Sequence, residues 1–202
     1  MLHKVVQLGG KSYFWLEKTN VVSMIQEYQV SGFRVREYEE LGSTNTEAER
    51  VGWSELEDKM VILTYRQTQG RGQVGNHWES EPGKNISMTV VFKPRELLAG
   101  QQFAVSMVIA LGACDFISRY VSECSVKWPN DIYVGDRKIS GILIEHSIMG
   151  RYVGGSLCGI GVNINQERFL SDAPNPVSLF QLIGGEIPVE RALEELLDCI
   201  GK

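Results

Sequence analysis

Residues 67–85 read Gln67-Thr68-Gln69-Gly70-Arg71-Gly72-Gln73-Val74-Gly75-Asn76-His77-Trp78-Glu79-Ser80-Glu81-Pro82-Gly83-Lys84-Asn85. Apolar, β-branched runs flank them at 60–65 and 86–92, so this is a long loop between two buried strands. A connection of that length is either functional or disordered. Its glycines permit positive φ and close backbone approach to a ligand. Arg71, with Lys84 as a second cation, suits an anion held by backbone N–H groups and a guanidinium fork. Trp78 offers a face that could cover a ring. The plainer reading is a surface loop with a tryptophan tucked into the core. The run 70–75 matches G-x-G-x-x-G, but a dinucleotide site needs a helix next and an acid about twenty positions on. Pro82-Gly83 cannot sit in a long helix, and position 90 is Val90. Gly83-Lys84-Asn85 lacks the first glycine and the hydroxyl of a P-loop.

Two further clusters carry chemistry. Lys127-Trp128-Pro129-Asn130-Asp131 sets a rigid turn at a strand end, with an amide and a carboxylate beyond the proline. Lys138 returns from the Gly135-Asp136 turn toward Asp131. A lysine beside an aspartate, facing an anion loop, could handle phosphate, although one lysine on a strand is usually a solvated side chain. Thr44 with Glu47 three residues on predicts a capping box and a helix over 44–51. The hydroxyls at its start could bind a polar ligand group or only cap the helix.

Around these residues the pattern predicts a hairpin over 4–16, and a short helix over 21–28 capped by Thr19-Asn20. Strands follow at 33–38, 60–65 and 86–92. A buried helix over 101–121 packs closely at Gly112. A short strand at 125–128 leads into an antiparallel meander ending near Asn163. A helical turn over 178–183 and an amphipathic helix over 188–200 close the chain. The fold class is α+β: a mixed, largely antiparallel sheet with helices packed on one face. With 202 residues, 43% hydrophobic and 22% charged, the chain has the composition of a soluble domain. A net charge of −5 argues against holding nucleic acid by bulk electrostatics. Cys114, Cys124, Cys158 and Cys199 have no metal-ligand spacing and read as reduced thiols of a cytoplasmic protein. No signal peptide is expected, and the apolar stretch 103–117 is too short and interrupted to span a bilayer.

Taken in order, the glycine loop with Trp-x-Ser and Gly-x-Asn, Lys127-Trp128-Pro129-Asn130-Asp131, Lys138-x-x-Gly141-Ile142-Leu143, and Gly159-x-Gly161-Val162-Asn163 resemble the biotin protein ligases. Ser43-Thr44-Asn45 is similar to that family's helix start, and the likeness runs over residues 35–165. It implies a class II aminoacyl-tRNA synthetase-like core over 33–202, behind an N-terminal extension over 1–32 of no assigned function. It implies ATP-dependent conversion of biotin to biotinyl-5′-AMP, and transfer to a lysine of a biotin carboxyl carrier domain. By matching position, Ser43, Thr44, Asn45 and Gln67 would hold the biotin head, with Gly141 and Gly159 giving room. Gly70, Arg71, Gly72 and Gln73 would hold its carboxylate. Lys138 would bridge carboxylate and α-phosphate. Gln73, Asn76, Trp78, Asn130 and Asn163 would serve the nucleotide with Arg71 and Lys138. Asp131 would help the incoming lysine lose its proton, and Mg²⁺ would come with ATP, without direct protein ligands assigned. Gln73, Val74 and Asn76 stand where many relatives carry loop arginines, which implies weaker retention of the adenylate. The family's C-terminal β-barrel and its repressors' DNA-binding domain are not expected here. No DNA or membrane binding is expected, and an exposed sheet edge would allow a homodimer. Lipoate or octanoyl transfer on the same fold, and a non-catalytic biotin-binding module, are the alternatives.

Overall fold

The computed structural model describes residues 4–8, 11–15, 23–73, 75–171 and 173–202. β1 (Lys4–Leu8) and β2 (Lys11–Trp15) form the expected antiparallel hairpin; Gly9, Gly10 and residues 16–22 lie outside the described residues. The helix expected over 21–28 is not there: Met24–Val30 is a strand, β3, and Val21 and Val22 lie outside the described residues. β3 pairs antiparallel with β4 (Phe33–Tyr38) across Ser31-Gly32. Both turn residues have positive φ, 49° and 79°, the twist a two-residue hairpin needs. That turn and the partner strand hold 24–30 extended; the cap expected at Thr19-Asn20 lies outside the described residues.

The main sheet adds β5 (Met60–Thr64), β8 (Ile86–Phe92), β9 (Cys124–Lys127), β10 (Asp131–Val134), β11 (Arg137–Met149) and β12 (Tyr152–Val162). Its order is β3-β4-β5-β8-β12-β11-β10-β9. Every neighbouring pair is antiparallel except β4 and β5. A parallel pair needs a crossover, and α1 (Thr44–Val51) supplies it. The long loop folds back as a small ribbon, β6 (Gly70–Arg71) against β7 (His77–Trp78), rather than staying irregular; Val74 at its tip lies outside the described residues.

Alternation along the strands divides the sheet into two faces. One carries Val61, Leu63, Met88, Val90, Ile160 and Val162, packed with α2 (Phe103–Ser118) and α4 (Val189–Ile200) in the main core. Leu193, Leu196, Leu197 and Ile200 are the buried stripe of α4, spaced as an amphipathic helix requires. Gly112 lets the two helices meet: a Cβ there would lie 2.9 Å from the Ile200 Cα. By length and composition Ala99–Ser118 could cross a membrane, but in α2 Ile109, Phe116 and Ile117 are wholly buried in this core. On the opposite face Tyr38, Met60, Ile62, Val91 and Leu157 pack under Leu41 and Ala48. The sheet is thus mixed and largely antiparallel as expected, with its two long helices on one face and α1 on the other. α3 (Leu179–Ile183) is capped by Ser178 and Gln181. The capping box expected at α1 does not form. Ser43 is the N-cap without a side-chain bond, and Glu47 instead takes Arg50 at 2.7 Å and 2.8 Å. Cys114 and Cys124 are not isolated from each other: their sulfurs are 2.8 Å apart, and both thiols are free.

Candidate functional site

Beyond α1, the same sheet face turns polar and open. Register aligns Asp131, Gly141, Gly161, Ser87 and Thr64 in one row across five strands. The next row holds Leu143, Gly159, Thr89 and Ile62. Three glycines in this patch leave a shallow floor. Trp78 fills part of it, because a Cβ at Gly141 would come 3.0 Å from its ring and one at Gly161 would overlap it. The remaining cavity, about 120 Å³, is lined by Ser43, Thr44, Asn45, Gln67, Arg71, Gly72, Gln73, Asn76, Trp78, Asn130, Asp131, Lys138, Gly141 and Gly159, joined by His77, Ile142, Leu143, Ile160 and Gly161.

Local structure accounts for each wall. Residues 66–69 run beside 41–42, with Leu41 N–H donating to Arg66 C=O (3.1 Å), Thr68 N–H to Leu41 C=O (2.9 Å) and Gln69 N–H to Gly42 C=O (2.7 Å). That brings Gln67 to the start of α1, where its Oε1 accepts from Thr44 N–H at 3.0 Å. Thr89, buried on β8, shares a 2.9 Å bond with the Thr44 hydroxyl and donates to Asn45 Oδ1 at 2.5 Å. Asn130 N–H₂ donates to Ile142 C=O at 2.8 Å, which fixes the turn beyond Pro129.

Lys138 reaches the cleft through a β-bulge. Ile132 pairs with Ser140 but Tyr133 pairs with Lys138, so Ile139 is extra. An extra residue reverses the alternation. Ile139 goes into the core, and Lys138 joins Asp131 and Gly141 on the open face. Its Nζ lies 2.7 Å from Asp131 Oδ1 and 5.9 Å from the centre of the Trp78 ring. Asp131 Oδ1 is buried and held by the Lys138 ion pair, whereas Trp78 Nε1 is buried without a hydrogen-bond partner. An unpartnered buried polar atom facing a cleft calls for a ligand or water.

The other cation is engaged too. Arg71 Nη2 lies 2.7 Å from Glu145 Oε2 and 3.5 Å from Glu49 Oε1. Asn45 lines the cleft as expected, but it is 2% exposed and spends its N–H₂ on Leu143 C=O and Glu145. Two expected site residues are placed differently from the sequence reading. Gly70 does not line the cleft; its missing Cβ is what lets β6 lie against the Trp78 backbone. Asn163 is buried below, donating to Val177 C=O at 3.0 Å with its Oδ1 unpartnered.

Sequence reasoning missed Glu145 and Thr89 and quoted Gly161 only as part of a motif, although the alternation 141, 143, 145 along β11 already puts Glu145 on the cleft face. It also missed Glu79, the residue after Trp78. The Glu79 carboxylate accepts from Leu170 N–H (2.9 Å), Ser171 N–H (2.8 Å) and Gln166 Nε2 (2.9 Å). Burial pushes its pKa up, but these bonds outweigh burial and hold it below the ordinary carboxylate value. The strap from Gln166 then passes to Lys138, whose N–H donates to Asn175 C=O at 2.8 Å and whose C=O accepts from Val177 N–H at 2.9 Å.

Residues 38–163 match the model of the biotin/lipoate A/B protein ligase family. The bifunctional ligase/repressor of Bacillus subtilis is 26% identical over 99% of this chain and 64% of its own length. The biotin–[acetyl-CoA-carboxylase] ligase of Paracoccus denitrificans is 33% identical over 60% of this chain and 51% of its own. The chain therefore spans less than two thirds of either relative. Among solved structures, the Aquifex aeolicus biotin protein ligase in complex with biotin and ATP is 26% identical. It superposes with a TM-score of 0.68 over 82% of this chain and 68% of the other.

Proposed function

The chain belongs to the biotin/lipoate A/B protein ligase family, and we propose that it joins biotin to ATP as biotinyl-5′-AMP and passes the biotinyl group to a lysine of a biotin carboxyl carrier domain. The observation that carries this reading is one cleft that brings the cations Lys138 and Arg71 together with the polar, uncharged Ser43, Thr44 and Gln67. A ureido head suits the neutral groups and a carboxylate the cations. The Aquifex aeolicus relative, solved with biotin and ATP, supports the same pair of substrates.

In the first step a carboxylate oxygen of biotin attacks the α-phosphorus, and the bond to the leaving pyrophosphate breaks. Two anions must meet. Lys138, in place between the Asp131 carboxylate and the Trp78 ring, offsets their charge as they approach. Arg71 holds the acid end, and Trp78 flanks the nucleotide side together with Asn76 and Gln73. Mg²⁺ on the ATP phosphates would further neutralise charge. Asn130 and Asp131 are the oxygen donors suited to it, and among the described residues no cluster of three His, Cys, Asp or Glu forms a metal site of its own. Mg²⁺ keeps several waters and binds substrate phosphates, so phosphate and water would supply most of its ligands. In the second step the carrier amine attacks the acyl carbon and AMP leaves. That amine has an ordinary pKa of about 10.4, so it must lose a proton, which Asp131 accepts. Free thiols fit a cytoplasmic setting.

The test is incubation with biotin, MgATP and a carrier domain, read by mass. One biotinyl adduct on a carrier lysine is expected. An adduct with lipoate or octanoate but not biotin would move the substrate to the other branch of the family, and biotin binding without any adduct would leave a binding module.

A further inference from the structure

We infer that Glu145 is the positioning residue of the glycine loop: its carboxylate ties Arg71 to the start of α1 and sets where the guanidinium stands. Glu145 is fixed from below. Asn45 N–H₂ donates to its Oε2 at 2.7 Å, and Asn45 is itself pinned by Thr89 at Oδ1 and by Leu143 C=O. The same oxygen, Oε2, accepts from Arg71 Nη2 at 2.7 Å. A buried amide, a half-exposed carboxylate and a guanidinium thus run in series from α1 to β6. Arg71 has five N–H donors in a rigid fork. Glu145 engages one terminal nitrogen, with Glu49 a longer contact on the same atom. The Arg71 Nε and Nη1 N–H groups make no hydrogen bond among the described residues and can serve a ligand carboxylate. Without Glu145 the loop, whose tip residues Gly75 and Asn76 are exposed, would swing with its arginine. This rests on the proposed reading of the cleft as an acid-activating site.

The experiment has two arms. The Arg71–Gly72 bond is a trypsin site, and its cleavage rate, followed by mass, reports how often the loop opens. E145A should cleave about five-fold faster than the parent protein, the size of a well-aligned exposed pair. E49A should cleave nearly as the parent. E145Q, which keeps an acceptor for Asn45 but drops the charge, guards against misfolding and should fall near E145A. Unchanged cleavage in both Glu145 variants overturns the inference, and this arm decides it whether or not the protein forms an adenylate. In the second arm, biotin-dependent pyrophosphate exchange should show a raised KM for biotin in E145A. R71A/E145A should be no worse than R71A, because Glu145 acts through Arg71. Additive losses would mean Glu145 only supports α1, and would overturn the inference. No exchange in the parent protein would instead overturn the proposed function and leave the cleavage result standing.

Discussion

At the scale of single residues, the cleft is built of charges that already have partners. Lys138 stands on Asp131 and Arg71 on Glu145, so a substrate anion meets cations already held in place by carboxylates rather than bare ones. The Asp131 carboxylate, paired with Lys138, is where a proton from the carrier amine would go. Asp131→Asn should therefore slow transfer from preformed biotinyl-5′-AMP by about 10²-fold, the lower range for a lost general base. Transfer at the parent rate in single-turnover mixing would remove Asp131 from that step. Glu79 gives a pH signature. Its folded pKa is lowered, net of burial, by the Leu170, Ser171 and Gln166 bonds. Its stabilising effect is thus full above the unfolded value of 4.5 and disappears as pH falls through the folded value. Urea midpoints of the parent and Glu79→Gln should differ at pH 7, and the gap should narrow as pH falls below 4.5. Arg71 and Lys138 are legible from sequence because a cation in a glycine loop or after a tight turn is unusual. Glu145 and Glu79 are not, because their partners lie 74 and 91 residues away.

At the scale of elements, two local irregularities decide what the site contains. The bulge at Ile139 turns Lys138 out of the core face, and no periodicity in the sequence announces it. Ser31-Gly32 turns the chain so that 24–30 becomes an edge strand instead of a helix. The strands 33–38, 60–64 and 86–92 and the helix 44–51 were readable, since buried apolar runs and helix starts are local signals. Gly112 sets two effects against each other. Gly112→Ala gains about 1 kcal/mol of helix propensity. The new methyl, however, would lie 2.9 Å from Ile200 Cα, backbone that cannot step aside, and overpacking costs about 1–3 kcal/mol. Net destabilisation is expected, read as a lower urea midpoint with unchanged slope. Gly161→Ala should act on the site instead: it displaces the Trp78 ring and weakens nucleotide binding, measured by calorimetry with ATP. Parent affinity in that variant would show that the glycine floor is not needed.

At the scale of the whole molecule, one sheet does two jobs by dividing a single face. Its apolar half is closed by α1, its polar half is left open, and the opposite face is sealed by α2 and α4. The divide falls between adjacent rows of side chains, so the cleft rests directly on the core and inherits its rigidity. The family likeness was readable because its motifs fall on the ends of neighbouring strands in this one patch. The long-range ties were not, because they depend on how the sheet orders strands far apart in the chain. The central claim is that Arg71 and Lys138 together activate an acid with ATP, and biotin-dependent exchange of labelled pyrophosphate into ATP tests it most directly. The parent protein should exchange, and Arg71→Ala and Lys138→Ala should each lose about 10²–10³-fold, as for a lost transition-state charge partner. Exchange that is absent in the parent, or unchanged in both variants, would contradict the account.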